Sequence, residues 1–268
     1  EAVIKKETED KYGFVPKRPK IESGTTYKYD APNNLYFQTP ILKDIFEQYK
    51  TLPFSVGDSG YVEFNFKIED SDRFKSGKRK GELPDSKKKL KFEMGKTKYT
   101  VGIGGIHSNE KSIAHTTTDK HILREYDVAS YYPRIILNNR LYPEHIGEPF
   151  LDIYNSIVER RLNSKRLQKV AKKAGDKEAE AHHRSINESL KITINGSFGK
   201  LGSKWSCLFA PNLMMQVTIT GQLSLLMLAE RLELAGISVI SANTDGIVTK
   251  IPVELEALAE EIVSDWEF

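Results

Sequence analysis

The stretch that most constrains this chain is residues 212–251, where a long helical pattern runs straight into a pair of short β-branched runs. Residues 212–234 place apolar side chains at helical intervals, and Gly236 follows at the position where helices commonly end in a left-handed residue. Residues 237–242 (ISVISA) and 247–251 (IVTKI) read as strands, joined by Asn243, Thr244, Asp245 and Gly246. Asp-Gly is a favoured tight-turn pair, so these runs predict a hairpin. The chain thus passes from a long helix directly into an antiparallel hairpin.

Upstream, YVEFNFKI (61–68) alternates with period two, like a half-buried strand, and YTVGIGGIHS (99–108) reads as a strand entering a double-glycine turn at Gly104 and Gly105. Between them, residues 69–98 combine Gly, Pro and Ser with an excess of Lys and Arg, as in an exposed loop or hairpin insertion. That stretch is a solvated surface or a phosphate-contacting one. HILREYDVASYYP alternates up to Asp127, then turns at residues 130–133 into an apolar helical segment. Residues 150–174 form a helix whose polar face carries Arg160, Arg161, Lys165, Arg166, Lys169, Lys172 and Lys173. Gly175 and Asp176 break it, and a second helix over residues 180–196 completes an antiparallel pair. Residues 1–26 are rich in Lys, Glu and Pro and receive no chemistry.

Composition sets outer limits. Forty basic against 37 acidic residues leave a net charge of only +3, so a polyanionic partner would have to be met by local clusters. Cys207 is the single cysteine, which excludes an internal disulfide framework and a thiolate zinc cluster and suits a reducing, cytoplasmic setting. The first residues lack the apolar run of a signal peptide, and the richest apolar stretch, residues 223–228, is followed by Glu230 and Arg231, so no membrane partner is expected.

Asp127 ends an apolar strand and Asp245 sits at a hairpin tip, and each alone is ordinary turn chemistry. Taken together they stand at the ends of strands that can lie side by side, where paired carboxylates can share hard divalent cations. Lys191, Asn195 and Phe198 share one helical face. Arg161 and Lys165 share another, so pairing of the two helices would bring three cations toward one polyphosphate. Solvated basic faces are the plain alternative.

These residues also fall into recognisable motifs. DVASYYPRI (127–135) resembles the first polymerase motif of family B DNA polymerases, with Asp127, Ser130, Tyr132, Pro133 and Ile135 in register and Tyr131 in place of Leu. KITINGSFG (191–199) resembles the second, keeping Lys191, Asn195 and Gly199, and SANTDG (241–246) resembles the third, keeping Thr244 and Asp245. VERRLNSK (158–165) is similar to the basic fingers segment, and GIGGIHS (102–108) to the double-glycine element that precedes the palm in phage members. Motifs in the correct order, each on the expected element type, make chance agreement improbable.

The resemblance implies an α+β fold: an antiparallel-sheet polymerase palm backed by helices, with an inserted helical-hairpin fingers subdomain. It divides the chain into a pre-palm region (1–98), a first palm part (99–148), fingers (149–200) and a truncated second palm part (201–268), with thumb and exonuclease absent. It implies that Asp127, Asp245 and the Val128 carbonyl hold two Mg²⁺ ions, or Mn²⁺ in their place. Ser130, Tyr131, Tyr132, Arg161, Lys165, Lys191 and Asn195 are implied at the dNTP, with Tyr132 excluding a ribose 2′-hydroxyl. Gly104, Gly105, Phe198, Gly199 and Thr244 are implied at the DNA primer-template. The expected activity is template-directed DNA synthesis by a catalytic-core fragment, in a bacterial or phage-infected cytoplasm. Asn243 replaces an acid of the third motif and Phe198 a tyrosine of the second, which keeps open a polymerase-fold module that binds nucleic acid with impaired catalysis.

Overall fold

A computed structural model describes residues 1–64, 74–78, 80–81, 89–109 and 113–267. In chain order the elements begin with α1 (Ala2–Tyr12), β1 (Thr26–Tyr27), α2 (Pro40–Thr51), β2 (Phe54–Val56) and β3 (Val62–Phe64). They continue with β4 (Lys89–Met94), β5 (Thr97–Gly102), β6 (His107–Asn109), β7 (His121–Asp127) and α3 (Tyr131–Asn138). The last are α4 (Pro149–Ala174), α5 (Lys177–Leu201), α6 (Pro211–Leu234), β8 (Ser238–Asn243), β9 (Gly246–Pro252) and α7 (Glu256–Glu267). The class is α+β, as the sequence predicts.

The chain forms two compact units. The first gathers Glu1–Thr25, Val56–Tyr61 and Tyr132–Met214, and the second Thr26–Ser55, Val62–Tyr131 and Met215–Phe268. This division cuts across the linear one expected from the motifs. Residues 89–98 enter the main sheet as β4 and the start of β5, whereas residues 132–148 and 201–214 group with the helices. Of the expected strand over 61–68, Val62–Phe64 is β3 and residues 65–68 lie outside the described residues. Of the basic stretch over 69–98, residues 69–73, 79 and 82–88 lie outside them too.

In the helical unit α4 and α5 form a hairpin. Gly175 ends α4 in the left-handed conformation (φ 75°), and the Asp176 carboxylate caps α5 by accepting from the Ala179 amide at 2.9 Å. α5 runs on past Gly196 and Gly199, beyond the end the sequence predicts. Each glycine costs a helix interior about 1 kcal/mol, but Ile194, Ser197 and Leu201 continue one buried stripe through both.

The second unit is built on a six-stranded sheet of order β4-β5-β6-β8-β9-β7. Every neighbouring pair in it is antiparallel. Along β9, Ile247, Thr249 and Ile251 are buried in alternation, the pattern of a strand with one covered face. Among the described residues α6 is the one helix long and apolar enough to cross a membrane, and 78% of its apolar window is buried. A helix apolar on all sides is normally a core helix.

Two buried polar side chains of α6 fix its position within this unit. Gln222 reads both backbone groups of one residue: its Oε1 accepts from the Gly102 amide at 2.9 Å and its Nε2 donates to the Gly102 carbonyl at 2.5 Å. The Glu230 carboxylate accepts from the Gln38 and Thr39 amides at 2.9 and 2.7 Å, at the N-terminal end of α2 where unpaired amides favour an anion. Replacing Gln222 with Leu keeps most of the volume but strands a buried donor and a buried acceptor, at about 1–3 kcal/mol each. Urea unfolding of Gln222→Leu should therefore show a loss of about 2–4 kcal/mol at unchanged m-value; a loss below about 0.5 kcal/mol would mean that Gly102 finds other partners.

Candidate functional site

The end of the main sheet brings together three segments that are far apart in the sequence. β7 pairs with β9 in a register that sets Asp127 opposite Gly246. Facing residues in such a ladder have Cα atoms about 4.5–5.5 Å apart. The Val128 amide then donates to the Asp245 carbonyl at 2.9 Å, so the residue after one acid is bonded to the backbone of the other. On the other side, the Thr244 amide donates to the Ile106 carbonyl at 2.9 Å, which attaches the hairpin tip to the double-glycine segment. Asp127, Val128, Thr244 and Asp245, with the loop carrying Gly104 and Gly105, thus share one sheet end.

The hairpin turn differs in detail from the expected Asp-Gly turn. Asn243 pairs with Gly246, so the two turn residues are Thr244 and Asp245, and Gly246 opens the next strand. Glycine is needed there for space. A Cβ on Gly246 would lie 2.9 Å from the Tyr126 carbonyl oxygen and 3.4 Å from the Asp127 Cα, both backbone atoms.

Both acid-bearing turns hold a non-glycine residue at positive φ, Ser130 at 58° and Thr244 at 26°. For a β-branched side chain such as Thr244 this is a costly conformation, and such strain is found where a site fixes its backbone. Sequence reading missed this feature, because neither residue type signals it. It also missed Ser108, whose Oγ accepts from the Ala242 amide at 3.0 Å and so reinforces a β6–β8 pairing that has a single register pair, His107 with Asn243.

Asp127 and Asp245 are both exposed. Among the described residues no group of three or more His, Cys, Asp or Glu side chains is placed to hold a metal ion. A cation held by the carboxylates of Asp127 and Asp245 would need backbone, water or substrate oxygens to complete its shell. That is a donor set suited to Mg²⁺, which keeps several waters and binds through one or two carboxylates plus phosphates. Beside the site, burial and then Glu260 push the Tyr126 phenol up to about 12, so it stays neutral.

The remaining predicted residues divide between the units. Tyr131 is a core residue of the sheet unit, 7% exposed, with its hydroxyl donating to the Gly221 carbonyl at 2.7 Å. In the helical unit, the rings of Tyr132 and Phe198 lie 4.7 Å apart at 34°, which joins the first and second motifs by direct packing. Across the α4–α5 hairpin the Asn187 Nδ2 donates to the Gln168 Oε1 at 3.5 Å. Arg161 and Lys165 are half-buried, Lys191 and Asn195 exposed, and Gly199 has open space where a side chain would begin.

A scan of models of known protein families and a search of curated proteins both return no match to this chain.

The close backbone approach at Gly246 yields a test. Gly246→Ala must open the β7–β9 ladder at the acids, and overpacking of this kind costs about 1–3 kcal/mol. Thermal or urea unfolding should show that loss; an unperturbed variant would mean that the two strands do not meet as described.

Proposed function

We propose that this chain is the catalytic core of a template-directed DNA polymerase that transfers a deoxynucleotide from a dNTP to a primer 3′-hydroxyl. In this reading the sheet unit is a palm and the α4–α5 hairpin the fingers, as the resemblance to family B polymerases implies. One observation supports it: the backbones that carry Asp127 and Asp245, of the first and third motifs, stand at one sheet end, linked by the Val128–Asp245 backbone bond.

Asp127 and Asp245, with the Val128 carbonyl, would hold the divalent ions. When bound, such ions supply activation of the primer hydroxyl and neutralisation of charge on the phosphates. The protein's own part is positioning and electrostatics. Arg161, Lys165 and Lys191, carried on the two helices of the hairpin, would neutralise a triphosphate, and cations fixed in advance stabilise the charge that develops in transfer. Tyr132, packed on Phe198, would be the aromatic that leaves no room for a ribose 2′-hydroxyl, as the resemblance implies. Asn195 lies on the same helix face, turned toward solvent and available to the nascent base pair.

A second reading, a polymerase-fold module that binds nucleic acid without catalysis, is favoured by Asn243, which leaves the hairpin without the acid expected there. Primer extension with Mg²⁺ separates the two. The parent should extend, while Asp127→Ala and Asp245→Ala each lose at least about 100-fold, the scale on which removing one electrostatic stabiliser acts. Tyr132→Ala should raise ribonucleotide incorporation relative to deoxynucleotide. Extension unaffected by either aspartate change contradicts the proposal, and binding without extension in the parent selects the second reading.

A further inference from the structure

The helical unit carries an exposed aromatic framed by cations that the proposed reaction does not use. Trp205, in the segment after α5, is 75% exposed, far more than an indole normally leaves in water. The Arg18 guanidinium and the Lys204 ammonium each lie 5.5 Å from its ring centroid. Arg18 belongs to Pro16-Lys17-Arg18-Pro19-Lys20, in which prolines flank exposed cations and Pro16 is buried as an anchor. Lys204 is fixed in its turn. Its Nζ donates to the Asp58 carbonyl at 3.2 Å, and its stem packs against Gly60 so closely that a Cβ there would lie 2.9 Å from the Lys204 Cβ. Next to Gly60 stands a second exposed aromatic, Tyr61, at 60%. The Asp58 side chain is engaged elsewhere, accepting from the Ser23 hydroxyl at 2.6 Å.

We propose that Trp205, with Arg18 and Lys204, is a stacking platform for an unpaired nucleic-acid strand. Every base has a π-face and every linkage a negative charge, so an open indole beside fixed cations binds such a strand with little sequence preference. A duplex keeps its bases stacked inside and offers the indole nothing comparable. Lys17 and Lys20 extend the positive track along the chain from Arg18, matching a polyanion longer than one nucleotide.

The test is fluorescence anisotropy with a labelled oligo(dT) in EDTA, without nucleotide, so that the outcome is independent of the metal-site reading. Trp205→Ala should bind about tenfold more weakly, the lower part of the range for losing one stacked base, while Trp205→Phe retains most of the affinity. Arg18→Gln and Lys204→Gln should each flatten the salt dependence by nearly one phosphate contact. In a Trp266→Phe background, oligo(dT) should quench the remaining tryptophan emission. Equal affinity of Trp205→Ala and parent, absence of quenching, duplex DNA competing as well as single strand, or a poly-glutamate peptide quenching as strongly as oligo(dT), would each overturn the proposal.

Discussion

The arrangement of the candidate site rests on the register of β7 against β9. Side chains alternate from face to face along a strand, so a slip of one residue would move Asp127 to the other face and separate it from the hairpin tip. The register is held from several directions. Gly246 admits the β7 backbone where no larger residue fits, the Val128–Asp245 bond closes the ladder beyond its last pair, and the Ile106–Thr244 bond attaches the opposite side. Buried Ile247, Thr249 and Ile251 keep one face of β9 against the core, which makes a slip costly well away from the acids.

Much of this was legible in the sequence, for identifiable reasons. The β8–β9 hairpin shows as two β-branched runs with turn residues between, and the helices α4 and α6 show through periodicity with clear stops at Gly175 and Gly236. The limits of α5 were less legible because glycine is a local signal and the buried stripe of Ile194, Ser197 and Leu201 a tertiary one; packing outweighed propensity. The division into units was not legible either, since it depends on which distant segments pack together. Within the site, the pairing of Asp127 with Asp245 could be anticipated from strand ends. The positive φ of Ser130 and Thr244, and the tie from Ser108 to Ala242, could not, because nothing in a serine or threonine announces such a role. Tyr131, inside a motif and expected at a nucleotide, is buried with its hydroxyl donating to the Gly221 carbonyl, a placement that depends on tertiary packing.

The two units place rigidity differently. In the sheet unit, buried polar groups fix geometry: Gln222 reads both groups of Gly102, and Glu230 holds the start of α2. Such contacts are directional, so they specify one position of α6 where apolar packing alone would tolerate several. In the helical unit the corresponding device is the hairpin itself, capped at Asp176 and bridged by the Asn187–Gln168 contact.

We propose that Asp127 and Asp245 act as one divalent-cation site. Titrating Mn²⁺ into isotope-labelled protein and following paramagnetic broadening of backbone amides tests it most directly. The account predicts that the amides of residues 127–129 and 244–246 broaden together, with one midpoint, and that Mg²⁺ competes for both. Broadening of one segment without the other, or at well-separated midpoints, would contradict it.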